Sequence, residues 1–522
     1  AVTVTGGDFT TTTTIVAASL NVTGEDITLI SNTTSGGVVL DASKTVDLQE
    51  VLAASDNASS LTVTAGTSVA FDENIGASGT EIGNVSVTAG TSYTGADTAS
   101  EMDINGTLTI NAGTTISVGD SADVAATGAI SVVAGSSNTL DGDLVSGAGG
   151  VTVTGGTTVV QLDNGAITAT TGDVAISAGT TYTAGAAVTA SAGDVSVTAV
   201  SSDINADISG TNITLTGSST TVASGVQSLT GAVSLVGDGH TFTFDATDSI
   251  TGNLTIVGDA ILDMNQATNL MTGSVTHSGA GTVALTDLAG NYIGGSATGA
   301  VTILDTAAGA TSIVTGSGAD SVTLGDVETS VNTGAGNDTI DASGVTTTTN
   351  MVNINGGDGN DTITGGSATD DIYTGGAGTD TLLVVGDDTL FGFTERFTDF
   401  EVGSAGDIIS LDVSELDTLG GDVTSTTVTK IDTTDVGTTA FVDTQLIVLT
   451  GTTYADVAAV VSALNGASGT TGTVDANTDG IVTIFADTDG HSYMTILEGA
   501  ANVFSATDVE LLRFDGLGID DL

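Results

Sequence analysis

The residues of this chain best suited to chemistry are glycines and aspartates between Thr315 and Leu383. The segments GSGADSVT, GAGNDTID, GGDGNDTIT, GGSATDDIY and GGAGTDTLL repeat one nine-residue arrangement. Two glycines, a spacer, a glycine, a spacer and an Asp are followed, two places on, by an apolar residue. The spacing holds the unit: Asp320 to Asp338 is 18 residues, twice nine, and Asp361 to Asp370 is nine. Asp361 to Asp380 is 19, with Thr374 an extra residue between copies. A tight turn that aims several carbonyls at one point needs positive φ, which glycine adopts without steric cost. A hard cation takes about six to eight such oxygens, with carboxylates closing the shell. The apolar residue points the other way and anchors a short strand in a core. The candidate metal-site residues are therefore Gly316, Gly318 and Asp320; Gly334, Gly336 and Asp338; Gly357, Gly359 and Asp361; Gly366 and Asp370; and Gly376, Gly378 and Asp380.

Written as G-G-x-G-x-D-x-U-x, with U apolar, this unit resembles the calcium-binding nonapeptide of RTX (repeat-in-toxin) proteins. The resemblance implies several bound Ca2+ ions in a β-roll. Successive nonapeptides would lie on opposite edges of a flattened right-handed coil, each ion between turns two copies apart. That pairs Asp320 with Asp338 and Asp361 with Asp380, and leaves Asp370 on the opposite edge. A degenerate copy, Leu324 to Asn332, has Thr329 where Asp belongs, and DASGVTTTTNMVNIN interrupts the series after the second copy. Two or three well-formed sites are expected rather than five.

The segment FTDFEVGSAGDIISLD resembles the D-F-x-x-G-x-D-x-I-x-L stretch that follows the repeats in many RTX proteins and starts their C-terminal cap. Asp399, Gly403, Asp407 and Leu411 match, with two extra residues between Gly403 and Asp407; Asp399 and Asp407 join the candidate ligands. IVTIFADTDGHSYMTILEG and VELLRFDGL also look like RTX C-terminal regions, which carry an uncleaved type I secretion signal. The resemblance covers residues 315 to 522. Independently, DANTDG matches the opening of an EF-hand loop, offering Asp475, Asn477 and Asp479. The Glu expected at its twelfth position is Ala486, and strands flank it, so Asp487 or Asp489 would have to supply the carboxylate. A solvated acidic turn is the equal alternative.

The elements that position these residues begin with a loose repeat over residues 1–310. LTVTAGTS, VSVTAGTS, LTINAGTT, ISVVAGSS, VTVTGGTT and VAISAGTT each give a short strand and a turn, with weaker copies after them. Their glycines at 66, 90, 113, 135, 156 and 179 stand 21 to 24 residues apart, the period of a solenoid with one coil per repeat. Alternation points Val85 and Val87 inward and Ser86 and Thr88 outward. β-Branched residues without a 3.6-residue period exclude a helical solenoid. The expected fold is all-β: a right-handed parallel β-helix over 1–310, an RTX β-roll over 311–383, and a small β-rich cap over 384–522. Eight of the twelve Phe lie between Phe391 and Phe514, enough for a more conventional core in the cap. Its one predicted helix is Thr452 to Gly466, with Thr453 to cap it and Gly466 to end it.

Composition narrows the function. The chain has 63 acidic and four basic residues, a formal charge of −59. Such a surface repels nucleic acid and anionic membranes, and it strains the compact state unless cations neutralise it. With 39% hydrophobic residues there is nonetheless enough apolar surface to bury. There is no cysteine, so calcium rather than disulfides is the staple expected outside the cell. No apolar run reaches membrane-spanning length. Ala1 opens directly into AVTVTGG without a cleavable signal peptide, so the chain is expected to continue a longer one or to use another export signal.

Enzymatic signals are poor. His240, His277 and His491 stand in no zinc pattern, and Lys44 is the one Lys or Arg in residues 1–310, where an acidic-sugar site would need basic partners. An outward Ser/Thr stripe (Thr62, Thr64, Ser86, Thr88 and on to Thr216) raises ice or glycan binding, but it is broken by Asn111, Val133, Ala175, Val236 and Val257. The expected protein is not an enzyme. It resembles the S-layer-like or filament-forming RTX proteins of bacterial surfaces: extracellular, calcium-dependent and self-assembling, with cell-surface polysaccharide as a further partner. The alternative is a calcium-stabilised adhesin for a glycan, host or ice surface; a polysaccharide-modifying β-helix enzyme ranks below both.

Overall fold

The fold was obtained as a computed structural model. It describes residues 2–11, 15–29, 33–35, 37–49, 52–54, 59–76, 81–95, 101–120, 122–222, 228–237, 239–244, 248–264, 270–286, 288–304, 312–325, 330–345, 351–366, 371–384, 394–401, 406–411, 428–432, 446–450, 453, 458–460, 481–487, 489, 491–497, 499–500, 503–504 and 511–515. The protein is an all-β, parallel β-solenoid. It divides into two compact units, Ala1–Thr276 and His277–Leu522.

In the first unit each full coil is built from three short strands. One coil runs Leu108–Ala112, Thr115–Val118 and Val124–Ala126; the next runs Ile130–Ala134, Ser137–Leu140 and Leu144–Ser146. All three strands pair in parallel with their counterparts: Leu108 faces Ile130, Thr115 faces Ser137, and Val124 faces Leu144. Every glycine-bearing repeat copy lies in this register, so that Leu61, Val85, Leu108, Ile130, Val151 and Val174 form one column. Val85 and Val87 are buried and Ser86 and Thr88 exposed, as alternation requires.

The second and third strands of each coil were not picked out from the sequence. Their polar–apolar alternation is short, and their inward residues include Asn138 and Ala126. Asn138 is fully buried and donates to the Thr154 carbonyl at 2.6 Å.

The 21-to-24-residue glycine period has a steric cause. A Cβ on Gly113 would stand 2.1 Å from the Gly90 carbonyl oxygen, and one on Gly135 2.1 Å from that of Gly113. The turn after the first strand stacks so closely on the turn before it that no side chain fits. The period is therefore a record of coil-on-coil contact.

In the second unit the coil narrows to two strands. Tyr292–Ala297 with Val301–Leu304 begins a series that continues through Ser312–Gly316, Ser321–Thr323 and their successors to Thr394–Phe397 and Ile408–Leu411. These two-stranded coils start ahead of residue 311 and run beyond 383. One inward column is Ile313, Val331, Ile354, Tyr373 and Phe397; the facing one is Ile303, Val322, Ile340, Ile363, Leu382 and Ile409. The apolar position of every nonapeptide on this edge thus enters the core.

Thr394–Phe397 pairs in parallel with one further strand, Leu511–Phe514. That strand pairs antiparallel with Ser492–Leu497, itself antiparallel to Ile481–Ala486. The reversal replaces the next solenoid coil with a cap sheet, which continues from Ile481–Ala486 through Leu446–Thr450 to Val428–Asp432, each parallel to its neighbour. Phe397, Phe400 and Phe514 pack beneath this join, ring centroids 5.4 and 5.1 Å apart. Of the predicted helix, 453 and 458–460 are described: 458–460 are helical and Thr453 is not, while Gly466 lies outside the described residues.

Because burial rests on coil-to-coil columns, inward truncations should cost far more than outward ones. Ile110→Ala, at a fully buried position, is expected to lose about 2–4 kcal/mol, and Thr109→Ala next to it less than about 0.5 kcal/mol. Denaturant unfolding of both variants would show it; equal losses would contradict the column packing.

Candidate metal centre

The nonapeptide turns join the two strands of each coil and stack along one edge. Gly316, Gly334, Gly357 and Gly376 form one ladder position, all with positive φ. A Cβ on Gly376 would lie 1.8 Å from the Gly357 carbonyl oxygen. Gly336, Gly359 and Gly378 repeat the pattern with φ of 143°, 142° and 147°; Gly318 carries no positive φ. Backbone carbonyls are thereby brought into close file along the edge.

Beside them runs a continuous ladder of aspartates. The N–H of Val301 donates to Asp320 Oδ1 at 2.8 Å, that of Asp320 to Asp338 Oδ1 at 2.8 Å, and that of Asp338 to Asp361 Oδ1 at 2.9 Å. Asp361 donates in turn to Asp380 Oδ1 at 2.8 Å, and Asp380 to Asp407 Oδ1 at 2.9 Å. The structure therefore brings Asp320 to Asp338 and Asp361 to Asp380, and it also places Asp338 directly against Asp361. Asn337 and Asn360 form a parallel amide ladder that the sequence reading missed: Asn360 N–H donates to Asn337 Oδ1 and Thr379 N–H to Asn360 Oδ1, both at 2.9 Å.

The second carboxylate oxygens behave differently along the file. Asp338, Asp361 and Asp380 are each 2% exposed or less, and their Oδ2 atoms have no hydrogen-bond partner among the described residues. Three successive buried carboxylate oxygens are left unmatched where an unpaired charge is most costly. Burial pushes Asp361 up to about 6, with Asp338 and Asp380 adding like-charge repulsion against the backbone hydrogen bond that lowers it. Asp320, Asp338 and Asp380 are raised for the same first reason, burial.

This environment fits a hard cation. It supplies orphaned anionic oxygens beside a file of glycine carbonyls, with no imidazole or thiolate. Among the described residues no three His, Cys, Asp or Glu side chains converge as a cluster, so main-chain oxygens would have to complete any shell. Asp361, Asp380 and Asp338, with the adjacent glycine carbonyls, are the residues that would hold Ca2+.

The remaining candidates separate. Asp399 accepts from the N–H groups of Gly375 and Gly376 at 2.9 and 2.8 Å, capping the last glycine turn with both oxygens. Asp407 extends the ladder and accepts from Glu401 N–H at 2.8 Å. Gly366 sits on the other edge, its N–H donating to the Tyr373 hydroxyl at 3.3 Å. Asp370 lies outside the described residues. Its neighbour Asp371 is the buried carboxylate there, accepting from Val352 N–H at 2.7 Å and from the Tyr373 hydroxyl at 3.2 Å. Gly403, Asp475, Asn477 and Asp479 also lie outside the described residues. Asp487 is spent within its own turn, accepting from the N–H groups of Asp489 and His491 at 2.9 Å and from the Tyr493 hydroxyl at 3.0 Å.

The three histidines have separate surroundings. His240 is buried, stacked on Phe242 at 3.7 Å and within 2.9 Å of Thr220 Oγ1. His277 lies 2.8 Å from the Tyr292 hydroxyl. His491 lies 2.9 Å from Arg513, and Asp515 joins Arg513 to Arg396. Two of the four basic residues are thus committed to tying the strand Leu511–Phe514 to the last coil.

No family model matches the chain, and no curated protein matches it in sequence.

The buried aspartates give a pH dependence of definite sign. A folded-state value above the unfolded 3.8 contributes stability that is complete below the unfolded value and lost as pH rises through about 6. Freed of divalent cations, the protein should melt at higher temperature at pH 5 than at pH 7. Asp361→Asn should melt above the wild type at pH 7 and show a shallower pH slope. An unchanged slope in the variant would remove Asp361 from the account.

Proposed function

We propose that the chain is an extracellular structural β-solenoid of RTX type. Calcium holds it folded, and copies assemble into a surface layer or filament. The observation that carries this reading is the file of buried, unpartnered Oδ2 atoms on Asp338, Asp361 and Asp380 beside the stacked glycine turns. A metal-free file of this kind is self-repelling; a divalent cation reverses the sign of that interaction.

The mechanism is coupled binding and folding. In a low-calcium cytosol the carboxylates repel and the roll stays open, which suits type I secretion. Outside, roughly millimolar calcium exceeds the needs of extracellular sites and stabilises the folded form that alone binds it. The same ions can bridge acidic faces of neighbouring copies, letting a chain of charge −59 pack beside itself. In sequence no segment of residues 1–310 breaks the repeat enough to look like a distinct binding module, which favours a scaffold over an adhesin. Cell-surface polysaccharide remains the partner class for anchoring.

Purified protein in millimolar calcium should show a higher melting temperature than in EGTA, and ordered assemblies by electron microscopy and light scattering. Equal melting and equal β-content by circular dichroism in both conditions would sink the calcium reading. Calcium-stabilised protein that stays monomeric would leave the adhesin as the better one. The double variant Asp361→Asn/Asp380→Asn should lose most of the calcium-induced rise in melting temperature while keeping its metal-free fold.

A further inference from the structure

The first glycine of the nonapeptide is not glycine in every copy, and the structure shows what the difference does. Thr315, Thr333, Gly356 and Gly375 occupy one ladder position, directly before the stacked glycines at 316, 334, 357 and 376. Thr315 is fully buried. Its hydroxyl lies 2.5 Å from Asp320 Oδ2 and 2.9 Å from the carbonyl oxygen of Thr333 in the next coil. It satisfies the one carboxylate oxygen of its copy that the later copies leave bare.

Where the position is glycine, the same two kinds of oxygen close in on the backbone with no hydroxyl between them. A Cβ built on Gly356 would stand 2.3 Å from Asp361 Oδ2 and 2.7 Å from the Gly375 carbonyl oxygen. One on Gly375 would stand 2.5 Å from Asp380 Oδ2. So the two acceptor oxygens within reach of the Thr315 hydroxyl, which has one proton to give, recur at Gly356 with no hydroxyl beside them. Thr333 is intermediate: its hydroxyl donates to the Gly356 carbonyl at 2.9 Å and leaves Asp338 Oδ2 without a well-formed hydrogen bond among the described residues, yet it stands close enough to oppose the rise that burial imposes on Asp338.

We propose that Thr315 takes the place of a cation in the first nonapeptide, making that turn metal-independent, and that glycine at this position marks the turns that take calcium. This rests on the calcium reading of the same edge and adds where along the file the ions go. The coil at Asp320 then folds on hydrogen bonds alone and offers a preformed edge, whereas the coils at Asp361 and Asp380 close when calcium arrives. Thr315 is a specificity-determining residue: its hydroxyl hydrogen-bonds the oxygen that a metal would otherwise claim.

The test is the number of calcium ions bound per chain, measured by equilibrium dialysis and calorimetry on the full chain. Thr315→Gly should bind one ion more than wild type and melt lower than wild type only in EGTA. Thr315→Ser, which keeps the hydroxyl, should bind the wild-type number. Gly356→Thr should bind one fewer. An unchanged count in Thr315→Gly overturns the proposal while leaving calcium binding intact. A wild type that binds no calcium overturns both. If Thr315→Gly does not fold even in calcium, Gly356→Thr decides alone, and an unchanged count there overturns the proposal.

Discussion

Everything in this protein depends on the parallel backbone ladder that sets equivalent residues of successive coils one strand spacing apart, about 4.8 Å. At that distance each position is surrounded mainly by copies of itself. Apolar positions become columns that bury one another, as Val87, Ile110 and Val132 do. Turn positions become glycine wherever the stacked backbones leave no room for a Cβ. A carboxylate position becomes a file of like charges. Two unit charges about 4.8 Å apart repel by roughly 3 kcal/mol at an effective dielectric of about 20. Such a file is stable only if something is placed among its members: water, a proton, a hydroxyl or a cation. The aspartate edge shows a hydroxyl at Asp320 and leaves the other choices to Asp338, Asp361 and Asp380.

How much of this was legible in sequence follows from the same geometry. A column is visible when its residues are distinctive, so the Val/Ile/Leu strand followed by glycine revealed both the coil period and the inward face. The columns missed were those whose members are small or mixed, such as the strands Thr115–Val118 and Val124–Ala126, where Ser, Thr and Ala carry little signal. The aspartate edge was legible because glycine and Asp are both required there. The opposite edge was not. Asp370 lies outside the described residues, and Asp371, to which the nonapeptide spacing does not point, is buried there, held by Val352 and Tyr373. Nine-residue spacing carries no signal for a carboxylate that a neighbouring tyrosine holds. Thr315 was passed over for a related reason: a Thr in place of Gly reads as degeneracy until its hydroxyl is seen on Asp320.

The ends of the second unit's ladder are handled by polarity rather than by bulk. Asp399 turns both carboxylate oxygens onto the N–H groups of Gly375 and Gly376, supplying hydrogen bonds that another glycine turn would otherwise offer. Leu511–Phe514 then joins the last coil in parallel and passes the sheet to the antiparallel strand Ser492–Leu497 of the cap. Arg396 and Arg513 face each other across this join and would repel, but Asp515 lies between them and accepts from both. With four basic residues in the chain, placing two at this one seam indicates how much the junction needs a fixed register.

The first unit uses the same device with a different consequence. Asp123 Oδ1 accepts from Asp143 N–H, and Asp173 Oδ1 from Asp194 N–H, both at 2.9 Å, so carboxylates there also bind the backbone of the adjacent coil. The direction is opposite: the later coil donates to the earlier aspartate, whereas from Val301 onward the earlier coil donates to the later one. The three-stranded coil leaves Asp123, Asp173 and Asp194 exposed, and water can serve their second oxygens. In the two-stranded coil the turn is tighter and the second oxygen is buried. Charge density is therefore not what separates the two regions, since aspartate files occur in both. Desolvation is: narrowing the coil takes the second oxygen away from water, and a carboxylate so placed must find another partner or remain unpaired.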